Sequence, residues 1–219
     1  MNPDYQLAAT KAAETLRDFR ITSAPVDPLP ILKKLPGVLV VSYESIANDM
    51  EMERKCVMSA FGDRNQDAFT SVHVKDGKPH YIVTYNQKLS FNLFQRGLAR
   101  ELGHIVLGHD GSKPEDVRNL EAKCFAHHLL CPRPLLYMIK ESGLRLTTEM
   151  LGNLTGCYDY CLSCMRKQPA VHVPAEINRD VRKLFTPYFL NFFEYQRYAR
   201  HKDGSAVADL GSYMEGYEE

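Results

Sequence analysis

Two residues near the middle of the chain have the types and spacing of a hydrolytic metal site. The stretch GLARELGHIVLGH, residues 97–109, contains Glu101 and His104, which form the last part of a His-Glu-x-x-His zinc motif. On a helix, that motif points two imidazoles at one zinc ion, and the intervening glutamate polarises the bound water. Arg100 stands where the first histidine belongs, and arginine has no lone pair with which to bind a metal. The stretch therefore predicts a metallopeptidase-type helix in which one ligand is exchanged.

A second segment supplies candidate ligands to add to His104. The segment NLEAKCFAHHLLCP, residues 119–132, contains Glu121, and Cys124 and His128 follow it by about one and two helical turns. Catalytic zinc normally keeps three protein ligands, whereas His104 and Glu121 are only two. A set completed by Cys124 or His128 is therefore one alternative, and a site without metal is the other.

Together the two segments resemble the core of the ImmA/IrrE family of zincin-like metallopeptidases. The family pattern is roughly A-H-E-L-G-H-x-x-L-G-H, followed by E-A-x-x-F-A-x-x-L-L-x-P. The matching residues are Ala99, Glu101, Leu102, Gly103, His104, Leu107, Gly108 and His109 in the first block, and Glu121, Ala122, Phe125, Ala126, Leu129, Leu130 and Pro132 in the second. The resemblance extends over about residues 5–166. It implies that Glu101 is the catalytic general base and that His104 and Glu121 are zinc ligands, with the first ligand position taken by Arg100.

Arg100 itself is a candidate substitute for the metal. Without a cation, the carboxylates of Glu101 and Glu121 would repel each other in a partly buried cleft. A guanidinium at position 100 can pair with one or both of them in a planar fork geometry. We therefore expect Arg100 to be a metal-replacing structural cation. His109, five residues after His104, is expected to lie off the ligand face.

Hydrophobic spacing predicts the elements that must position these residues. Helices are expected near residues 5–19, 28–35, 90–109, 114–132, 133–141, 147–154, 157–166 and 174–199. Strands are expected at 37–43, 54–62 and 67–86, the last segment being a hairpin that turns at Asp76 and Gly77. This order predicts an α+β fold, with a zincin-like metallopeptidase core, a small mixed sheet and a mostly helical C-terminal half.

The expected domain organisation follows the resemblance. Residues 1–166 would form the ImmA/IrrE-like zincin domain, residues 167–200 a helical, aromatic-rich extension, and residues 201–219 a flexible polar tail. In the extension, aromatic residues recur at helical spacing, which favours core packing. Any exposed part of this stripe would be a partner surface.

The cysteines allow two interpretations. Cys157, Cys161 and Cys164 could form a zinc site together with Cys131 or His172. Their spacing also suits one face of a helix, and packing of small side chains is the favoured interpretation. All six cysteines are expected to be reduced thiols.

Charge and hydropathy narrow the possible partners and location. The 27 basic and 27 acidic residues cancel, so no global electrostatic attraction to nucleic acid or membrane is expected. No apolar run approaches a membrane span and the first residues lack a secretory pattern, so we expect a cytoplasmic protein.

Three functions are consistent with the sequence. The resemblance implies a regulatory protein that acts on, or binds, a helix-turn-helix repressor, here with a degraded zinc site. The alternatives are an active zinc endopeptidase with a non-standard ligand set, and an interaction module that uses the aromatic C-terminal helices.

Overall fold

The computed structural model describes residues 2–61, 67–144, 148–156 and 170–199. Within these residues the chain forms nine helices and three strands, so the predicted α+β class with a small sheet is confirmed. In chain order the elements are α1 (Tyr5–Asp18), α2 (Pro28–Lys34), β1 (Val38–Ser42), α3 (Tyr43–Asp49), α4 (Arg54–Phe61), β2 (Ala68–Lys75), β3 (Lys78–Tyr85), α5 (Phe91–Val106), α6 (Glu115–Leu130), α7 (Arg133–Glu141), α8 (Thr148–Thr155) and α9 (Ala175–Ala199).

The chain divides into two compact units. The first unit contains residues 1–3 and 27–126, and the second contains residues 4–26 and the described residues from 127 onward. The division falls inside α6. The boundary expected at residue 166 lies outside the described residues, so the predicted domain organisation stays a prediction.

The sheet of the first unit is mixed, as expected. Its strand order is β1-β3-β2, with β1 parallel and β2 antiparallel to β3. The hairpin between β2 and β3 turns at Asp76 and Gly77, whose φ angles are 51° and 70°. Positive φ at both central residues is the geometry that the Asp-Gly pair predicts, because it matches the twist of the flanking strands.

The prediction of a strand over residues 54–62 is wrong. Residues 54–61 form α4, which buries Val57 and Met58 against Tyr43 of α3. A short apolar run is compatible with either a strand or one face of a helix. Here packing against α3 stabilises the helix. The sheet therefore has three strands within the described residues.

A glycine brings α5 and α6 close together in the first unit. A Cβ atom at Gly103 would lie 3.0 Å from Cδ1 of Phe125 and 3.2 Å from the carbonyl oxygen of Ala122. Leu98 and Leu102 on α5 are fully buried, and α5 also contacts β2 and β3. The polar residues of α5 and α6 are thus held near one another by tight packing.

The second unit is helical within the described residues. Helix α9 contacts both α1 and α7, and these helices bury Leu16, Ile139 and Phe185 completely. The side-chain amide of Gln6 on α1 donates to the carbonyl oxygen of His172 and accepts from its N–H at 2.8 Å. This pair fastens the extended segment before α9 to α1.

The aromatic stripe of α9 is buried at one end and exposed at the other. Phe185 is completely buried, whereas Leu190 is 53% and Tyr195 is 70% exposed. Between them, the rings of Tyr188 and Phe192 are nearly parallel, with centroids 6.4 Å apart. The stripe is therefore buried at Phe185, half-buried at Phe192 and Phe193, and exposed at Tyr195.

None of the helices in the described residues is both long and apolar enough to cross a membrane.

The expectation that all cysteines are reduced thiols is wrong for Cys131, which is disulfide-bonded. The expectation rested on the inferred compartment and not on which thiols meet in space. Cys56 is exposed, Cys124 is buried, and neither is disulfide-bonded. The predicted cysteine cluster of residues 157–164 and the predicted tail lie outside the described residues.

Candidate functional site

The predicted general base lies on α5 against β2. The Thr70 hydroxyl on β2 donates to Oε2 of Glu101 at 2.7 Å. Nε and Nη2 of Arg100 both lie 3.3 Å from Oε1 of the same carboxylate. The side chains of Arg100 and Glu101 are only 16% and 5% exposed. The ion pair of Arg100 and Glu101 is therefore largely shielded from water.

The end of α5 turns His109 back toward the site, contrary to the expectation that it lies off the ligand face. The helix ends at Val106, and Gly108 adopts a φ angle of 64°. The N–H groups of Gly108 and His109 donate to the carbonyls of Ile105 and His104, at 3.1 and 3.0 Å. These two bonds form a Schellman motif. The expectation failed because it extended the helix through residue 109.

His109 links the two residues that were predicted as zinc ligands. Its Nδ1 lies 2.9 Å from Nδ1 of His104, and its Nε2 lies 2.9 Å from Oε2 of Glu121. An ionised Glu121 only accepts, so the network assigns the His109 proton to Nε2. Nδ1 of neutral His109 then accepts a hydrogen bond from Nδ1–H of His104. The three side chains form a hydrogen-bonded chain in which His109 stands between His104 and Glu121.

A lysine that the sequence did not single out neutralises Glu121. Nζ of Lys113 lies 2.8 Å from Oε1 and 2.9 Å from Oε2 of Glu121, whose side chain is 2% exposed. The loop before α6 positions this lysine in two ways. The Asp110 side chain accepts from the N–H of Ser112 at 2.9 Å, and the Lys113 carbonyl accepts from Nε of Arg118 at 3.1 Å.

Both imidazoles are neutral at pH 7. Burial lowers the pKa of His104 to about 3, and repulsion from Arg100, from Arg118 and from His109 when that ring is protonated acts in the same direction. Burial also lowers the pKa of His109, although its bond to Glu121 acts against that change. The His104–His109 hydrogen bond requires at least one neutral ring, because two imidazolium ions would both be donors.

The residues present do not fit a zinc ion. Position 100 offers no lone pair, and the ammonium of Lys113 spans both oxygens of Glu121. Nδ1 of His104 contacts Nδ1 of His109, which contacts Glu121 in turn, so a third side chain links the two predicted ligands. Among the residues that the structure describes, no three His, Cys, Asp or Glu side chains are grouped so as to hold a metal.

Cys124 and His128, the two residues predicted as alternative third zinc ligands, follow Glu121 along α6. Cys124 is completely buried. His128 lines a small cavity within the second unit, and its ring lies 4.7 Å from that of His127, measured between centroids. Burial lowers the pKa of His128 well below its usual value. A ligand set of His104, Glu121 and either residue is not formed in the described part of the chain.

Two contributors to the site, Thr70 and Lys113, carry no signal in the sequence, and a third, His109, was predicted to lie off the ligand face. Gly108 was the available signal for His109, because glycine commonly ends a helix with a left-handed residue. Thr70 and Lys113 have no periodic relation to the carboxylates that they contact. Only the tertiary structure brings them there.

No protein-family model, curated protein or solved structure matches this chain in the comparisons. The resemblance to the ImmA/IrrE family therefore rests on the two motifs around Glu101 and Glu121.

Proposed function

We propose that the chain is an ImmA/IrrE-like regulatory protein with a zincin-like core in which Arg100 and Lys113 replace the zinc ion. It acts in the cytoplasm by binding a helix-turn-helix repressor rather than by cleaving it. The observation that carries this proposal is the ammonium of Lys113, which lies within 2.9 Å of both oxygens of the buried Glu121.

Charge balance supports the replacement. A divalent metal would compensate the two carboxylates of Glu101 and Glu121. Arg100 beside Glu101 and Lys113 beside Glu121 supply the same two positive charges from the chain itself. Burying these carboxylates without a cation would be strongly unfavourable. The cations therefore give the cluster a structural role that needs no metal.

The hydrogen bonds of Glu101 also favour a structural role over a catalytic one. One of its oxygens accepts from Thr70 and the other is paired with Arg100. A general base must have an oxygen within hydrogen-bond reach of the water that it activates. Here each oxygen already has a side-chain partner, so a water would have to share that oxygen with Thr70 or Arg100, which favours a binding protein.

Strand β2 offers a surface through which such a protein could bind its partner. It is an edge strand of the described sheet and pairs there with β3. Its residues Val72 and Val74 are 44% and 76% exposed. An extended segment of a partner can add to an edge strand through main-chain hydrogen bonds. The exposed Leu190 and Tyr195 of α9 are the observation that favours the second candidate, an interaction module that uses this helix.

Zinc titration of a variant series tests the proposal. Arg100→His restores the missing ligand, and Arg100→His combined with Lys113→Met also releases Glu121 from its ammonium. We expect the double variant to bind one zinc ion about tenfold more tightly than Arg100→His alone, because the metal no longer competes with a charge-assisted hydrogen bond. Arg96→His is the matched control, since Arg96 lies one turn earlier on α5 and pairs with Asp67.

The control and the unmutated chain should show no stoichiometric zinc binding by calorimetry. If the unmutated chain binds zinc as tightly as the double variant, the active zinc endopeptidase is the better account. If zinc binding is absent from the double variant as well, Arg100 and Lys113 are not what keeps the metal out.

A further inference from the structure

A cavity in the second unit has the size and charge of a ligand site, and it is independent of the cluster on α5 and α6. Its volume is about 680 Å³, and all its lining residues belong to the second unit. Pockets for small organic ligands typically measure about 300–1,000 Å³. Its walls are formed by α7, α9, the segment of residues 170–173 and Gln6 of α1, which holds that segment through His172.

Positive charge dominates the lining. Among the described residues that line the cavity, Arg133, Arg179 and Arg182 are basic and Glu141 is acidic. Residues 175, 178, 179 and 182 share one face of α9 at spacings of three and four, so Arg179 and Arg182 project from the same side. The cavity also lies at the first turn of α9, where the helix dipole favours an anion.

The three arginines have different surroundings. Arg182 makes a two-pronged pair with Glu141, at 3.1 and 2.5 Å, and Nη1 of Arg133 donates to the carbonyl of Val171 at 2.6 Å. These contacts fix both guanidinium groups against the walls. In the part of the chain that the structure describes, Arg179 makes no hydrogen bond or ion pair. Its guanidinium is the group that can turn to a ligand without breaking a contact.

The lining has an apolar side as well. Pro134 and Tyr137 of α7 border the cavity, as does Ala175. Guanidinium groups match the planar oxygens of carboxylates and phosphates, and a proline and an aromatic ring favour an apolar body. We propose that this cavity binds a small organic anion whose carboxylate or phosphate group is held by Arg179 and whose apolar part packs against Pro134 and Tyr137.

Calorimetric titration of the full chain tests this site, with phenyl phosphate, benzoate, inorganic phosphate and uncharged benzyl alcohol as probes. Phenyl phosphate or benzoate should bind at the cavity more tightly than inorganic phosphate and benzyl alcohol, because only those two carry both an anionic group and an apolar body. Stronger binding of phenyl phosphate identifies the anionic group as phosphate, and stronger binding of benzoate identifies it as carboxylate.

Two variants and one matched control locate the binding. Arg179→Gln should weaken the binding of the tighter probe about tenfold, the effect of one lost charge-assisted hydrogen bond. Lys183→Gln removes one positive charge from the same helix, but Lys183 is 72% exposed and does not line the cavity, so the affinity should stay within about twofold. Ala175→Glu adds a carboxylate at the first turn of α9 and should abolish binding.

A carboxylate at position 175 suits the positive end of the helix, so Ala175→Glu should keep the thermal midpoint of the unmutated chain. This separates a blocked site from an unfolded protein. The proposal is overturned if neither anionic organic probe binds the unmutated chain. It is also overturned if Arg179→Gln and Lys183→Gln change the affinity equally, or if Arg179→Gln leaves it unchanged.

Discussion

The two units use charged side chains in opposite ways. In the first unit, Glu101 and Glu121 are almost completely buried, and each has a cation from the chain within hydrogen-bond range. In the second unit, three arginines and one glutamate line a cavity of about 680 Å³. The first arrangement is closed and balanced in charge. The second is open and carries an excess of positive charge.

This difference shows why a cluster of catalytic-type residues need not be the ligand site. In the first unit every named oxygen of Glu101 and Glu121 and every named imidazole nitrogen has a neighbouring side chain as a partner, so a substrate would have to share or displace these contacts. In the second unit the residue types are less typical of a catalytic site. Among the described residues, however, Arg179 lines the cavity without a hydrogen bond or ion pair. Removing one partner should therefore affect mainly stability in the first unit and mainly binding in the second.

Lys113→Met should have the largest effect, because it strands the buried carboxylate of Glu121 without its ammonium. Breaking a buried ion pair by removing one partner costs about 3–5 kcal/mol, and the partial exposure of Lys113 favours the lower end. We therefore expect a loss of about 3 kcal/mol in the free energy of unfolding, measured with urea.

Arg182→Gln is the matched control from the second unit. Its pair with Glu141 is also short and two-pronged, but the two side chains are 46% and 54% exposed. An exposed pair typically contributes less than about 1 kcal/mol. Equal losses for Lys113→Met and Arg182→Gln would show that burial does not distinguish the two units.

Acid should weaken the first unit by a smaller amount. The pKa of His104 is about 3 in the folded chain, below its usual value of about 6.5, so below pH 6.5 the unfolded chain takes up a proton that the folded chain excludes. The free energy of unfolding should then fall as the pH is lowered. The contribution of His104 between pH 6.5 and pH 5 is about 1.6 kcal/mol, because the unfolded histidine is already half protonated at pH 6.5.

His104→Gln isolates this contribution. The variant should lose about 1.6 kcal/mol less than the unmutated chain over the same pH interval, as measured by urea unfolding at each pH. Glu141 does not contribute between pH 6.5 and pH 5, because its hydrogen bond with Arg182 lowers its pKa and it takes up a proton only at lower pH. Identical pH profiles for the two proteins would contradict the lowered pKa of His104.

Much of the framework could be predicted from the sequence, because local signals determine it. The Asp-Gly turn between β2 and β3 and the spacing of apolar residues in α1 and α5 each point to one structure. Helix α4 could not be predicted in this way, since its short apolar run is also compatible with a strand. The packing of Val57 and Met58 against Tyr43 stabilises the helical conformation of this segment.

The site was predictable only in part, for a related reason. Glu101 and His104 stand out because their spacing within one helix is a local property. Lys113 and Thr70 meet the carboxylates through tertiary contacts, across 8 and 31 positions of the chain. His109 is intermediate, since its placement depends on where Gly108 ends the helix. The pairing of Arg100 with a carboxylate could be anticipated from charge alone, but which cation serves Glu121 could not.

The zinc content of the unmutated protein tests the central claim most directly. The full chain, purified without chelators and equilibrated with excess zinc, is freed of unbound metal and analysed by elemental mass spectrometry. If Arg100 and Lys113 stand in for the metal beside Glu101 and Glu121, the protein should carry far less than one zinc ion per chain. One tightly held zinc ion per chain, lost in Glu121→Gln, would contradict the claim.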